Sequence, residues 1–151
     1  MFLSGTEIVK AILSNEITIS HFNKENVKGA SYTFTLDSKY KRLKTNKLLD
    51  CRVDPEFEES TIGEDGFELR PGSFAIFYTK EKVTLNNKFT CILSTRPTIA
   101  QMGLNVTQNS FFCEPNTDNQ FALEISNNGP EAVILYPNIK IVCGIFSRLA
   151  N

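Results

Sequence analysis

The chain has 151 residues, 41% hydrophobic and 22% charged, with a formal net charge of -1, which is one domain's length (residues 1–151) and enough apolar side chains for a single core. Without an excess of Lys or Arg to neutralise phosphates, nucleic acid is excluded as a bulk electrostatic partner. No apolar run approaches the roughly 18 residues of a membrane span, and Met1-Phe2-Leu3-Ser4 lacks the basic flank of a secretion signal, so a cytoplasmic protein is expected.

In chain order, residues 3–15 form the first expected element, a helix. Ser4 and Glu7 have capping-box spacing, and Ile8, Ala11 and Ile12 make an apolar stripe of helical period. Ile17 and Ile19 alternate as a short strand, and residues 30–36 carry the β-branched and aromatic enrichment of another. The only histidine, His21, is followed by Phe22 and Asn23 and is assigned no role. Five basic residues between Lys39 and Lys47, then six acidic ones between Asp54 and Asp65, read as two solvated loops of opposite sign with weak mutual attraction.

Beyond them the pattern is a run of short strands separated by turn residues: 67–69, 73–79, 83–85, 88–94, 119–126, 132–136 and 139–146. In the fifth of these, Phe121, Leu123 and Ile125 fall on one face and Gln120, Ala122, Glu124 and Ser126 on the other. Glu124 is therefore a carboxylate placed by a strand rather than by a loop. Many short strands and one helix predict an antiparallel sandwich, jelly roll or barrel.

The four cysteines, Cys51, Cys91, Cys113 and Cys143, are widely spaced and read as reduced thiols, three of them in apolar strands. A zinc-dependent cytidine deaminase needs H-x-E and P-C-x-x-C, and neither motif is present. No metal ligands are assigned.

Arg96-Pro97-Thr98-Ile99-Ala100-Gln101-Met102-Gly103-Leu104, Ser110-Phe111-Phe112-Cys113-Glu114-Pro115 and Phe121-Ala122-Leu123-Glu124 together resemble the dCTP deaminase branch of the dUTPase superfamily. That family writes the block as R-S-S-x-x-R-x-G-L, T-A-G-x-I-D-P-G and a strand ending in L-E. Leu3-Ser4 to Ile8, Leu69-Arg70-Pro71-Gly72 and Leu135-Tyr136-Pro137-Asn138 extend the likeness over nearly the whole chain. The resemblance implies an all-β fold, a distorted β jelly roll or barrel of the dUTPase type with a short N-terminal helix, assembled as a homotrimer with sites between subunits.

It also implies roles residue by residue. Glu124 stands at the family's general base, which activates water for attack on C4 of cytosine without a metal. Arg96 and Thr98 stand at its phosphate-binding positions, with Gln101 and Ser110 beside them, and Glu114 stands at the dUTPase aspartate. Mg²⁺ would be needed only with a bound triphosphate.

The sequence departs from the family at several of these points. Pro97 replaces a Ser, Gln101 an Arg, Glu114 an Asp, Asn116 a Gly, Thr33 an Asp and Cys143 a Gln, and with the chain ending at Asn151 no C-terminal lid is expected. Proline offers neither hydroxyl nor backbone donor, and glutamine supplies no charge-assisted hydrogen bond.

The leading expectation is therefore a family protein that binds a deoxypyrimidine nucleotide, dCTP or dUTP, or a protein partner, with little or no turnover. One alternative is an active metal-free deaminase that converts dCTP to dUTP and ammonia with Glu124 as base. The other is a trimeric interaction module with no nucleotide role.

Overall fold

The computed structural model describes residues 1–45 and 47–150. Helix α1 (Gly5–Leu13) leads into β1 (Ile17–Ile19), β2 (Tyr32–Leu43), β3 (Phe57–Thr61), β4 (Phe67–Leu69), β5 (Phe74–Leu85) and β6 (Phe89–Thr95). The short helix α2 (Pro97–Ala100) follows, then β7 (Leu104–Asn105), β8 (Phe112–Cys113), β9 (Asp118–Asn127), β10 (Val133–Leu135) and β11 (Lys140–Arg148). No helix among the described residues is long and apolar enough to cross a membrane.

Helix α1 forms where the capping residues place it. The Glu7 N–H donates to Ser4 Oγ at 3.3 Å, and Ile8 and Ala11 are buried on the sheet. His21 is exposed, with its ring nitrogen 3.3 Å from Ser20 Oγ.

The main sheet runs β7-β9-β5-β2-β11-β6-β8, with β1 added along β5 and β3 along β2; every pairing is antiparallel. The sheet curls into a half-barrel, with β4 and β10 as a separate pair. Its concave side is filled by alternating residues such as Phe34, Phe77, Leu93, Phe121, Leu123, Ile125 and Phe146, all buried. Edge-on aromatic contacts lock neighbours together: Phe34 meets Phe121 at 5.6 Å between ring centroids, and Phe67 meets Phe77 at 5.1 Å.

Two sequence expectations are corrected. The charged passages are not a pair of solvated loops: Lys39–Leu43 and Phe57–Thr61 pair in register as the β2–β3 hairpin, with Lys41 opposite Glu59 and Arg42 opposite Glu58. Opposite charge on facing strands supplies the cross-strand complementarity that the pattern of loops hid. Exposed ion pairs Lys44–Glu56 (3.4 Å) and Lys47–Glu56 (3.5 Å) continue it into the connecting loop.

The expected break between 79 and 83 is instead a kink inside one strand, β5, where register shifts between Tyr78 and Lys82. Buried Glu81 accepts from the Thr35 N–H (3.0 Å) and Thr35 Oγ1 (2.7 Å), so a charged residue sits inside the sheet without breaking it.

Asn116 has φ 60° and Asn138 φ 68°, in the left-handed region that Asn tolerates better than other side chains.

Candidate functional site

The ends of the curled sheet approach each other. β9 lies near one end of the strand order and β8 at the other, and the gap between them is a cleft of about 320 Å³. Leu93, Phe112 and Cys113 line it from one side and Gln120, Phe121, Ala122 and Glu124 from the other, with Ser110, Glu114 and Thr117 on the loop around the rim. That loop is fastened to the β5–β6 corner: the Leu85 N–H donates to the Thr117 carbonyl (2.8 Å) and the Asn116 N–H to the Asn86 carbonyl (3.3 Å).

Glu124 holds its place through the β5–β9 ladder, where Ile76 is its direct partner and Lys41 is the partner of Ile76 on the next strand. Residues directly opposed share a face, so Lys41 and Glu124 lie on one side of the sheet, two strand spacings or about 10 Å apart. Lys41 Nζ rests over the Phe57 ring, 4.1 Å from its centroid.

The electrostatics of Glu124 follow from this placement. Burial raises its carboxyl pKa above the ordinary carboxylate value, and its own backbone N–H and the charge of Lys41 pull only partly the other way. Its Oε2 is buried and has no hydrogen-bond partner among the described residues. An acceptor in that condition is destabilising by about 1–3 kcal/mol until a donor reaches it. Raised basicity and an unfilled acceptor are what a proton-accepting or ligand-binding carboxylate requires.

Of the residues singled out from the sequence, Glu124, Ser110 and Glu114 share this cleft. Arg96, Thr98 and Gln101 do not line it. Arg96 caps α2, its N–H donating to the Ile141 carbonyl at 3.2 Å, and it forms no ion pair among the described residues. Pro97 occupies the first helical position, where the missing N–H leaves no bond unmade. Thr98 and Gln101 are exposed.

Sequence reasoning missed a second cleft on the far side of Glu124. It measures about 500 Å³ and is walled by Leu43, Phe57, Phe74 and Ile76 from the sheet and by Leu49, Cys51 and Val53 from the β2–β3 loop. The signal was present as apolar residues inside a charged loop: Leu48, Leu49 and Val53 are 100%, 58% and 68% exposed.

Residues 2–149 match the family model described as dCTP deaminase-like. The chain belongs to that family. Similar proteins include the dUMP-forming dCTP deaminase of Thermobifida fusca, 27% identical over 148 residues that cover 93% of this chain and 74% of the relative. The dCTP deaminase of Buchnera aphidicola subsp. Schizaphis graminum is 26% identical over 171 residues, covering 100% of this chain and 86% of the relative.

Among solved structures, the 2'-deoxycytidine 5'-triphosphate deaminase of Agrobacterium tumefaciens superposes with a TM-score of 0.74 at 15% identity, over 99% of this chain. This chain spans 46% of that one. A variant of the dUTPase of Staphylococcus bacteriophage 80alpha superposes with a TM-score of 0.56 at 9% identity, over 91% of this chain and 92% of that one. At such identities the structural likenesses concern the fold.

Proposed function

We propose that the protein binds a deoxypyrimidine nucleotide, dCTP or dUTP, beside Glu124 and turns it over slowly or not at all. The observation that carries this reading is the Glu124 carboxylate: half-buried, raised in pKa, and with one buried oxygen that no group among the described residues satisfies. A base amino or imide N–H, or a water held by the base, is the donor that oxygen lacks. Ser110 and Glu114 complete the polar rim, and Leu93 and Phe121 give the apolar wall against which a pyrimidine ring packs.

The phosphates are assigned to Arg96 and Thr98, with Gln101 beside them. Since these do not line the cleft of their own chain, the reading includes a homotrimer in which a neighbouring subunit presents them. Among the described residues no three His, Cys, Asp or Glu side chains gather to hold a metal. Mg²⁺ enters the proposal only with the phosphates of a bound triphosphate.

A second reading, metal-free deamination, is favoured by the raised Glu124 carboxyl. A carboxylate of increased basicity is better matched to taking a proton from water as the oxygen attacks C4 and to returning it to departing ammonia. Against it stand Pro97 and Gln101, since each lost polarising group costs roughly two to three orders of magnitude in rate.

Thermal melting with a panel of nucleotides tests binding. At about 100 times the dissociation constant, dCTP or dUTP adds about 2.7 kcal/mol of stability. No shift with any deoxypyrimidine nucleotide would sink the proposal, and an unchanged shift in Arg96→Ala would remove the phosphate assignment. Ammonia release from dCTP separates the two readings: slow or absent for this chain, and higher by at least about two orders of magnitude in the Pro97→Ser, Gln101→Arg double variant. Brisk release by the unaltered protein would replace the first reading with the second.

A further inference from the structure

Cys91 and Cys113 lie directly opposite each other on paired antiparallel strands, β6 and β8. Residues so placed have Cα atoms about 4.5–5.5 Å apart and side chains on the same face, inside the range of about 4.4–6.8 Å that a disulfide spans. Both are free thiols. Cys91 is fully buried, whereas Cys113 is partly exposed and lines the cleft that also holds Ser110, Glu114 and Glu124.

The other two cysteines are placed elsewhere. Cys143 is opposite Ser94 on β11, one residue out of step with the Phe146–Cys91 alternation, so it faces the other side of the sheet. Cys51 belongs to the β2–β3 loop.

We propose that Cys91 and Cys113 form a reversible disulfide that pins one wall of the cleft, with a small-molecule disulfide such as oxidised glutathione as the oxidant. The accessible Cys113 thiolate attacks one sulfur of glutathione disulfide, giving a mixed disulfide and releasing one glutathione thiolate. The Cys91 thiolate then attacks the Cys113 sulfur and expels the second. Two protein thiols and one glutathione disulfide become one protein disulfide and two glutathione thiols, so electrons and protons balance. Burial raises the Cys91 thiol well above its usual pKa, with Cys113 adding to the effect, so the second step quickens as pH rises.

The link matters because β8 is only two residues long and holds to β6 through Cys91↔Cys113 and Ile92↔Phe112, aided by the Leu93 N–H donating to the Phe111 carbonyl at 2.7 Å. A covalent bond at that point ties the segment from Ser110 to Glu114 to the rigid strand behind it.

Peptide mapping of the whole chain after incubation with oxidised glutathione, with reduced thiols alkylated, tests the proposal without any nucleotide. The expected product joins the Cys91 and Cys113 peptides, disappears with dithiothreitol, and slows amide exchange across 110–114 about tenfold or more. In Cys91→Ser the expected product is instead a persistent glutathione adduct on Cys113. A persistent Cys113 adduct in the unaltered protein, a link through Cys51 or Cys143, or unchanged exchange in the linked form would each overturn it.

Discussion

The two regions that carry the candidate residues are built differently. Glu124 sits in the middle of a ten-residue strand, flanked by buried Leu123 and Ile125, and its neighbour Ile76 belongs to the longest ladder of the sheet. The turn from Arg96 to Gly103 rests on a four-residue helix whose side chains, Ile99 apart, point largely to solvent. The strand presents its carboxylate from a backbone fixed on both sides by the core. On the turn, Pro97 takes the first helical position, where its missing N–H leaves no bond unmade, and Thr98 and Gln101 are exposed. Residues fixed by the core are hard to exchange, and residues on an exposed turn can change without unfolding anything.

That contrast can be broken most forcefully from inside the strand. Leu123→Ala, at a fully buried site against Phe77, is expected to destabilise the protein by about 2–5 kcal/mol in denaturant unfolding. At the end of the same strand Asn127 is fully buried; its amide donates to the carbonyls of Leu69 (2.9 Å) and Glu131 (2.7 Å) and its Oδ1 accepts from the Gly129 N–H (2.9 Å). Asn127→Ala leaves those groups unpaired and should cost about 3 kcal/mol by the same measurement.

On the rim, Asn116→Ala should cost about 1 kcal/mol, because alanine resists φ 60°, whereas Asn116→Gly should stay within about 0.5 kcal/mol of the parent. An equal loss in both variants would mean that the Asn side chain, not the backbone shape, matters there.

Glu124→Gln sharpens the comparison through pH. The folded-state carboxyl pKa is raised, so the folded protein binds that proton more tightly than the unfolded chain does. Stability attached to this group is greatest where the carboxyl is protonated in both states, and it falls as pH rises from the unfolded to the folded value. Glu124→Gln should therefore melt higher than the parent at pH 7, with the difference vanishing below about pH 4. A lower melting temperature at pH 7 would show that the charged carboxylate is satisfied after all. Smallest of all, Thr98→Ala on the exposed turn should change stability by less than about 0.5 kcal/mol, while reducing any nucleotide-induced shift.

Much of this was legible in the sequence. The Ser4–Glu7 box marked the helix, the alternation over 119–126 marked the strand and set Glu124 on the face opposite Leu123 and Ile125, and the Pro71-Gly72 and Asn138 turns marked corners that the structure has. Local patterns of period 2 and 3.6 sufficed because those elements bury one face each. The β2–β3 hairpin escaped that reading because its outer strand buries almost nothing, so charge, not hydrophobicity, carries its pairing. Ser126 likewise belonged to the outward face by alternation but is buried, since β7 pairs beside it and covers it.

The sequence by itself determined the N-terminal helix, the strands with a buried face, the family block and the identity of each candidate residue, because these depend on neighbours a few positions away. Only the tertiary structure decided that Ser110 and Glu114 share a cleft with Glu124, that one Glu124 oxygen lacks a partner among the described residues, and that Cys91 meets Cys113. Those facts depend on how far the sheet curls and on the register of strands distant in the chain, which no local pattern encodes.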